Sequence, residues 1–173
     1  MKETTNITSV GGKPLTLLGE PIQVGLAAPN FMAVNIKSEP VNLTDFKGKI
    51  VVISVFPSID TGVCALQTKR FNKEASAWGN DVVLLTISKD LPFALGRFCG
   101  AEGIDNSVVL SDYMDSEFGL KYGFLIKENK LLTRGVVIVD QNNQVAYVEY
   151  VPDITQEPNY SAVLKTLSLL NNN

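Results

Sequence analysis

Four short runs of β-branched and aliphatic residues set the terms on which this chain can fold. Ile50–Phe56 reads IVVISVF, Val82–Ser88 reads VVLLTIS, Gly135–Asp140 reads GVVIVD, and Val108–Ser111 is a shorter candidate. Runs without polar alternation suit strands buried on both faces. Such strands need covering layers, and the intervals between them carry helical signals. Val63–Trp78 sets Cys64, Phe71, Ala75 and Trp78 on one stripe. Leu91–Cys99 reads as a shorter helix ending at Gly100, a residue suited to a C-cap. Asp115–Tyr122 and Tyr160–Leu170 are further helical candidates.

The flanks read as strand and turn. Gly11-Gly12 forms a hairpin turn before Lys13–Leu18. Phe31–Ile36 is a strand candidate ended near Pro40, and Asn42–Gly48 is a short turn segment. Asp140–Asn143 reads as a hairpin turn into Gln144–Tyr150. Strands alternating with helices, then a late hairpin and a last helix, predict an α/β fold with a mixed sheet covered on both faces. A thioredoxin-like sandwich with an N-terminal β-hairpin extension fits this order. The length of 173 residues favours one domain spanning 1–173.

Composition narrows the chemistry. A net charge of −3 gives no general attraction to nucleic acid or to an anionic membrane. No apolar stretch approaches the roughly 18–20 residues of a membrane helix. The N-terminus lacks the apolar core of a signal peptide, so a cytoplasmic location is expected. There is no histidine, which removes Ser-His-Asp and Cys-His nucleophile pairs. With two cysteines and no histidine, no ordinary structural zinc site can form. In a reducing compartment a cysteine pair is more often catalytic or redox-sensing than structural. Cys64 and Cys99 are therefore the residues to follow.

Cys64 lies in VFPSIDTGVCALQTKRF, Val55–Phe71. A buried strand ends at Phe56, and Pro57, with no N–H to donate, cannot continue a central ladder. Asp60 or Thr61 can cap the helix that follows. Cys64 then falls in the first helical turn, where unpaired N–H groups and the positive end of the helix dipole favour thiolate over thiol. The competing reading is an inert buried cysteine, since Cys64 shares its stripe with Phe71 and Trp78. Pro57 alone also reads as a turn residue, and Thr61 alone as a cap.

Cys99 is 35 positions further on, so the pair is no C-x-x-C motif. A bridge would join two different helices. Cys99 sits among Gly96, Gly100 and Gly103 in a segment whose glycines weaken helix and lower the cost of unwinding. The expectation is that this helix opens after Cys64 is oxidised, letting Cys99 reach it. A structural cysteine beside an ordinary glycine cap is the alternative.

PSIDTGVC at Pro57–Cys64 contains the peroxiredoxin pattern P-x-x-x-T-x-x-C. With RFCGAEG at Arg97–Gly103, the chain resembles the thiol peroxidase (Tpx) subfamily, the atypical two-cysteine peroxiredoxins. The likeness extends to GGKPLTL near the N-terminus, to DLPFALGRFCG and to the late TQEPNY. It implies that Cys64 is the peroxidatic cysteine, that Pro57 shields it, and that Thr61 hydrogen-bonds thiolate and peroxide. Arg134 in TRGVVIVD matches an arginine that polarises the peroxide. Cys99 would resolve Cys64 into an intramolecular disulfide that thioredoxin reduces. The resemblance further implies hydroperoxide substrates, no metal or organic cofactor, and a homodimer. A narrow pocket with an apolar rim is expected, with no preference set between hydrogen peroxide and organic hydroperoxides. Two rival functions stay open at this point: a disulfide-exchange module without peroxidase activity, and a one-cysteine peroxidase using external thiols.

Overall fold

The computed structural model describes residues 1–172. In chain order the strands are β1 (Glu3–Thr4), β2 (Ser9–Val10), β3 (Lys13–Pro14), β4 (Leu17–Leu18), β5 (Met32–Asn35), β6 (Pro40–Asn42), β7 (Ile50–Val55), β8 (Val82–Ser88), β9 (Val108–Ser111), β10 (Leu125–Ile126), β11 (Gly135–Val139) and β12 (Val145–Tyr150). The helices are α1 (Gly62–Ala75), α2 (Pro92–Glu102), α3 (Glu117–Tyr122) and α4 (Tyr160–Asn171), with a 3-10 turn at Leu43–Phe46.

The four apolar runs become the centre of one seven-stranded sheet, ordered β12-β11-β7-β8-β9-β5-β6. β7, β8 and β9 are parallel, and the outer pairings are antiparallel. Every residue of β7 and β11 is buried, as uniform runs require. The sheet has a core on each face. One gathers Phe31, Ile53, Leu85, Phe118, Phe124 and Val137, and the other Ile50, Val52, Phe71, Ile138, Val163 and Leu167. The alternation of Val52 and Ile138 with Ile53 and Val137 between the two cores is the strand's period of two. The mixed sheet covered on both faces is the expected thioredoxin-like sandwich.

The N-terminal hairpin also forms, as β2 and β3. Gly11 and Gly12 have φ of +55° and +82°, which a two-residue hairpin turn of this hand demands. The segment Lys13–Leu18 is broken in two: β3 pairs with β2, and β4 joins a separate sheet between β1 and β10.

Helix ends differ from expectation in two places. α2 does not stop at Gly100 but runs on to Glu102, and Gly103, at φ +64°, closes it with its N–H on the Cys99 carbonyl. Two glycines compete for the cap, and the one that adopts the left-handed conformation ends the helix. α1 ends at Ala75, and Trp78 lies in the turn beyond it. The stripe on α1 is split between two clusters. Phe71, with Ala75 and Trp78, packs on one sheet face, whereas Cys64 belongs to a smaller cluster with Phe56, Ile59, Leu95 and Val109.

Candidate active site around Cys64

β7 delivers the chain to Phe56 at the carboxyl end of the parallel strands, where open α/β sheets place their ligand crevices. Pro57 is buried and ends the ladder. The chain turns through Ser58–Asp60 and enters α1 at Thr61. Of the two candidate caps, Thr61 is the one used. Its Oγ1 accepts the Cys64 N–H at 3.4 Å and its hydroxyl donates to the Ser58 carbonyl at 3.2 Å. Thr61 therefore touches the backbone of Cys64, not its sulfur. Cys64 occupies the third helical position and is fully buried.

Arg134 reaches this sulfur from the neighbouring strand. The register pairs Gly135 with Val55, which sets Arg134 level with the exit of β7. Its Nη2 donates to Cys64 Sγ at 3.2 Å, its Nη1 to Gln67 Oε1 at 2.7 Å, and its Nε to the Ile154 carbonyl at 2.9 Å. At 2% exposure it is the largest of the fully buried side chains. Gly135 permits the arrangement: a Cβ there would lie 2.0 Å from the Glu149 carbonyl oxygen on β12.

Two supports of this site lay outside the sequence reading. Gln67 is one. It lies three residues after Cys64 on the same helical face, and its Nε2 donates to Ser54 Oγ at 2.8 Å and to the Val55 carbonyl at 3.2 Å. The spacing from Cys64 was readable, but a glutamine three positions on is too common to single out. The N-terminal hairpin, read from the sequence as an element but not as part of the site, is the other. Ser9 N–H donates to the Pro152 carbonyl at 2.8 Å, and Ile154 N–H to the Ser9 carbonyl at 2.9 Å. Buried Thr8 donates to the Val151 carbonyl at 2.8 Å. The hairpin thus clamps the segment whose Ile154 carbonyl holds Arg134.

A pocket of about 280 Å³ opens onto this group, lined by Pro57, Thr61, Val63, Arg134, Ile154 and Val10 of the hairpin. Apart from Arg134 and the hydroxyls of Thr61 and Thr155, these walls are apolar. Another pocket, of about 220 Å³, lies between the 3-10 turn and the ends of β7 and β11, and no cysteine lines it. Among the described residues no three His, Cys, Asp or Glu side chains converge where a metal ion would sit.

Cys99 lies on α2, half-buried against the cluster that contains Cys64. The two cysteines are unbonded. Burial raises the Cys99 thiol above its ordinary range. The structure thus brings Pro57, Thr61 and Arg134 to one pocket, sets the buried Cys64 sulfur against Arg134, and packs Cys99 against the same apolar cluster as Cys64.

The redoxin family model matches residues 23–164. A thiol peroxidase of Bacillus subtilis (strain 168) is 49% identical over 164 residues, covering 95% of this chain and 97% of that one. The chain belongs to the thiol peroxidase family of peroxiredoxins. A thiol peroxidase of Streptococcus parasanguinis is 48% identical over 92% of this chain and 96% of its own. Among solved structures, a peroxiredoxin-like protein from Aquifex aeolicus superposes with a TM-score of 0.90 at 36% identity, over 98% of this chain and 99% of that one. Membership covers the N-terminal hairpin as well as the sheet, because these relatives match nearly end to end.

Proposed function

We propose that this chain is a thiol-dependent peroxidase with Cys64 as its peroxide-attacking nucleophile and Cys99 as its resolving partner. The observation that carries the reading is the buried Arg134 guanidinium 3.2 Å from the buried Cys64 sulfur. The guanidinium balances the charge of the attacking thiolate, whose proton goes to solvent, since the chain has no histidine to take it and a guanidinium cannot. Cys64 thiolate attacks the terminal oxygen of the hydroperoxide. The S–O bond forms as the O–O bond breaks, and the departing oxygen leaves as alkoxide or hydroxide and takes a proton. The products are Cys64 sulfenic acid and alcohol or water.

Arg134 and the first-turn N–H groups face the charge that develops on the two oxygens. Thr61 contributes by turning its hydroxyl proton from the Ser58 carbonyl to the peroxide. Pro57 and the apolar walls keep water from the sulfur. Cys99 then attacks Cys64 sulfenic acid, forming the disulfide and releasing water. A dithiol such as thioredoxin returns two electrons and two protons by exchange. No metal or organic cofactor enters any step.

We further read the chain as one domain acting in the cytoplasm, where a thiol reductant is available, and as a homodimer. Phe93, Met114 and Leu91 are exposed to 77%, 59% and 51%, which supports a covering copy. Sedimentation as a monomer would remove the dimer from the reading. Among the described residues no helix is long and apolar enough to cross a membrane.

Mass spectrometry of tryptic peptides after one equivalent of peroxide tests the two roles together. A Cys64–Cys99 linked pair is expected. Persistent free thiols would overturn the peroxidase reading, and oxidation at Cys64 without a link would leave a one-cysteine enzyme.

A further inference from the structure

The loop that carries Pro57 and Thr61 is held from outside by one carboxylate. Asp90 Oδ1 accepts the Ser58 hydroxyl at 2.8 Å, and its Oδ2 accepts the Ile59 N–H at 2.8 Å. The same Oδ2 accepts the Ser88 hydroxyl at 2.6 Å, and Asp90 N–H donates to Ser88 Oγ at 3.2 Å. The Asp90 carbonyl accepts the Ser111 hydroxyl at the end of β9. Ser58 Oγ in turn receives the Asp60 N–H, so the bonds to Asp90 fix the loop as far as the Thr61 cap.

Asp90 also stands at the head of the resolving helix. Leu91 is the N-cap of α2 and Pro92 its first residue, and Cys99 lies two turns along. One side chain therefore braces the Cys64 loop against the root of the helix that bears Cys99. Ties from Asp90 to β8 and β9 anchor the brace to the centre of the sheet.

We propose that Asp90 is a positioning residue that holds the Cys64 loop in its peroxide-reactive form and opposes the movement that lets Cys99 close on Cys64. This rests on the roles assigned above to the two cysteines. While the brace holds, Pro57 and Thr61 stay registered over the sulfur, and attack on peroxide is fast. Closing the disulfide is, on this proposal, a shift of α1 against α2, the helices that carry the two unbonded sulfurs. The Asp90 bonds join the entry of α1 to the root of α2, so a shift of one helix against the other works against them. Removal of the brace therefore slows the first chemical step and speeds the second. A residue needed only for general stability would not split the two steps in opposite directions.

Quenched-flow sampling of the full chain with hydrogen peroxide, followed by dimedone and alkylation labelling and mass spectrometry, reads thiol, sulfenic acid and disulfide in one time course. In Asp90→Ala, Cys64 oxidation should slow at least tenfold while closure of the disulfide quickens at least twofold. Asp90→Asn keeps an oxygen for the Ile59 N–H and should recover most of the first step. Ser58→Ala removes one bond of the brace and should shift both rates in the same senses by a smaller factor. Oxidation of Asp90→Ala at the wild-type rate would overturn the proposal, as would both steps slowing together. If Asp90→Ala does not fold, Ser58→Ala decides: unchanged rates, or a slower closure, overturn it. Wild-type protein that forms no sulfenic acid on Cys64 or no link to Cys99 instead overturns the site assignment, and the role of Asp90 with it.

Discussion

At the scale of single residues, the site turns on how Arg134 spends its donors. Three of them go to a sulfur, an amide oxygen and a backbone carbonyl, each from a different direction. A lysine offers a point charge without that planar fork. Arg134→Lys should therefore lower the rate of Cys64 oxidation by about 10². Competition kinetics against a reference peroxidase would measure it, and a loss below threefold would show that charge alone suffices. Cys99 makes a second prediction. Its thiol is held above the ordinary cysteine value by burial, and the thiolate is the attacking form. The rate of disulfide closure should keep rising with pH beyond about 8.5, the value for a free cysteine. A plateau below pH 8 in single-turnover experiments would contradict this. Cys64, Pro57 and Thr61 were legible because each has a local reason to sit where it does. Arg134 was legible only through family likeness, since its partners come from segments 67 and 70 residues before it and 20 after it. No local pattern encodes contacts of that kind.

At the scale of elements, buried runs and turn glycines were the readable signals; β8 and β9 span the very residues of their runs, and the ends that escaped were helix ends such as those of α1 and α2. The β2–β3 hairpin followed from Gly11-Gly12, whereas the end of α2 depended on which of two glycines turned left-handed. α3 shows why such ends escape sequence reasoning. Its N-cap residue, Ser116, makes no side-chain cap, and Asp112 supplies the bonds instead, accepting the Phe118 and Gly119 N–H groups at 3.1 and 2.9 Å. Burial outweighs those bonds and pushes the Asp112 carboxyl up to about 6. The folded protein thus retains this proton where the unfolded chain, near 3.9, has lost it. Stability should fall as pH rises from about 4 to about 6, with the penalty complete above that window. Asp112→Asn keeps an acceptor for the helix and should flatten this part of the profile. Urea midpoints across the window would show it, and an unchanged slope would remove Asp112 as its source.

At the scale of the whole molecule, sheet order explains how distant segments become one site. The α/β class and the covered mixed sheet were legible, because uniform runs leave few other ways to be buried. That β11 would lie beside β7, carrying Arg134 to Cys64, was not, since nothing in either run names its neighbour. This placement bears on the stability of the two redox forms. Closing a disulfide between positions 64 and 99 should stabilise the chain by about 4 kcal/mol through the unfolded state. The oxidised form, however, leaves Arg134 buried with no anion, an imbalance of about 3–5 kcal/mol. The two should nearly cancel, so oxidised and reduced wild-type protein should unfold at similar urea concentrations. In Arg134→Gln the oxidised form should be clearly the more stable, and equal gaps in the two proteins would refute the balance. None of the three groups that hold the guanidinium is a carboxylate, so under the proposed roles the sulfur is its counter-ion. Each turnover is then a charge cycle within the core: peroxide takes the anion away, and reductant restores it. Between those events the disulfide holds the oxidising equivalents taken from peroxide, and the cation beside it stands unmatched. That cation makes Cys64 the better leaving group when an outside thiol attacks the disulfide at Cys99. The guanidinium that draws electrons out of the enzyme also draws them back in.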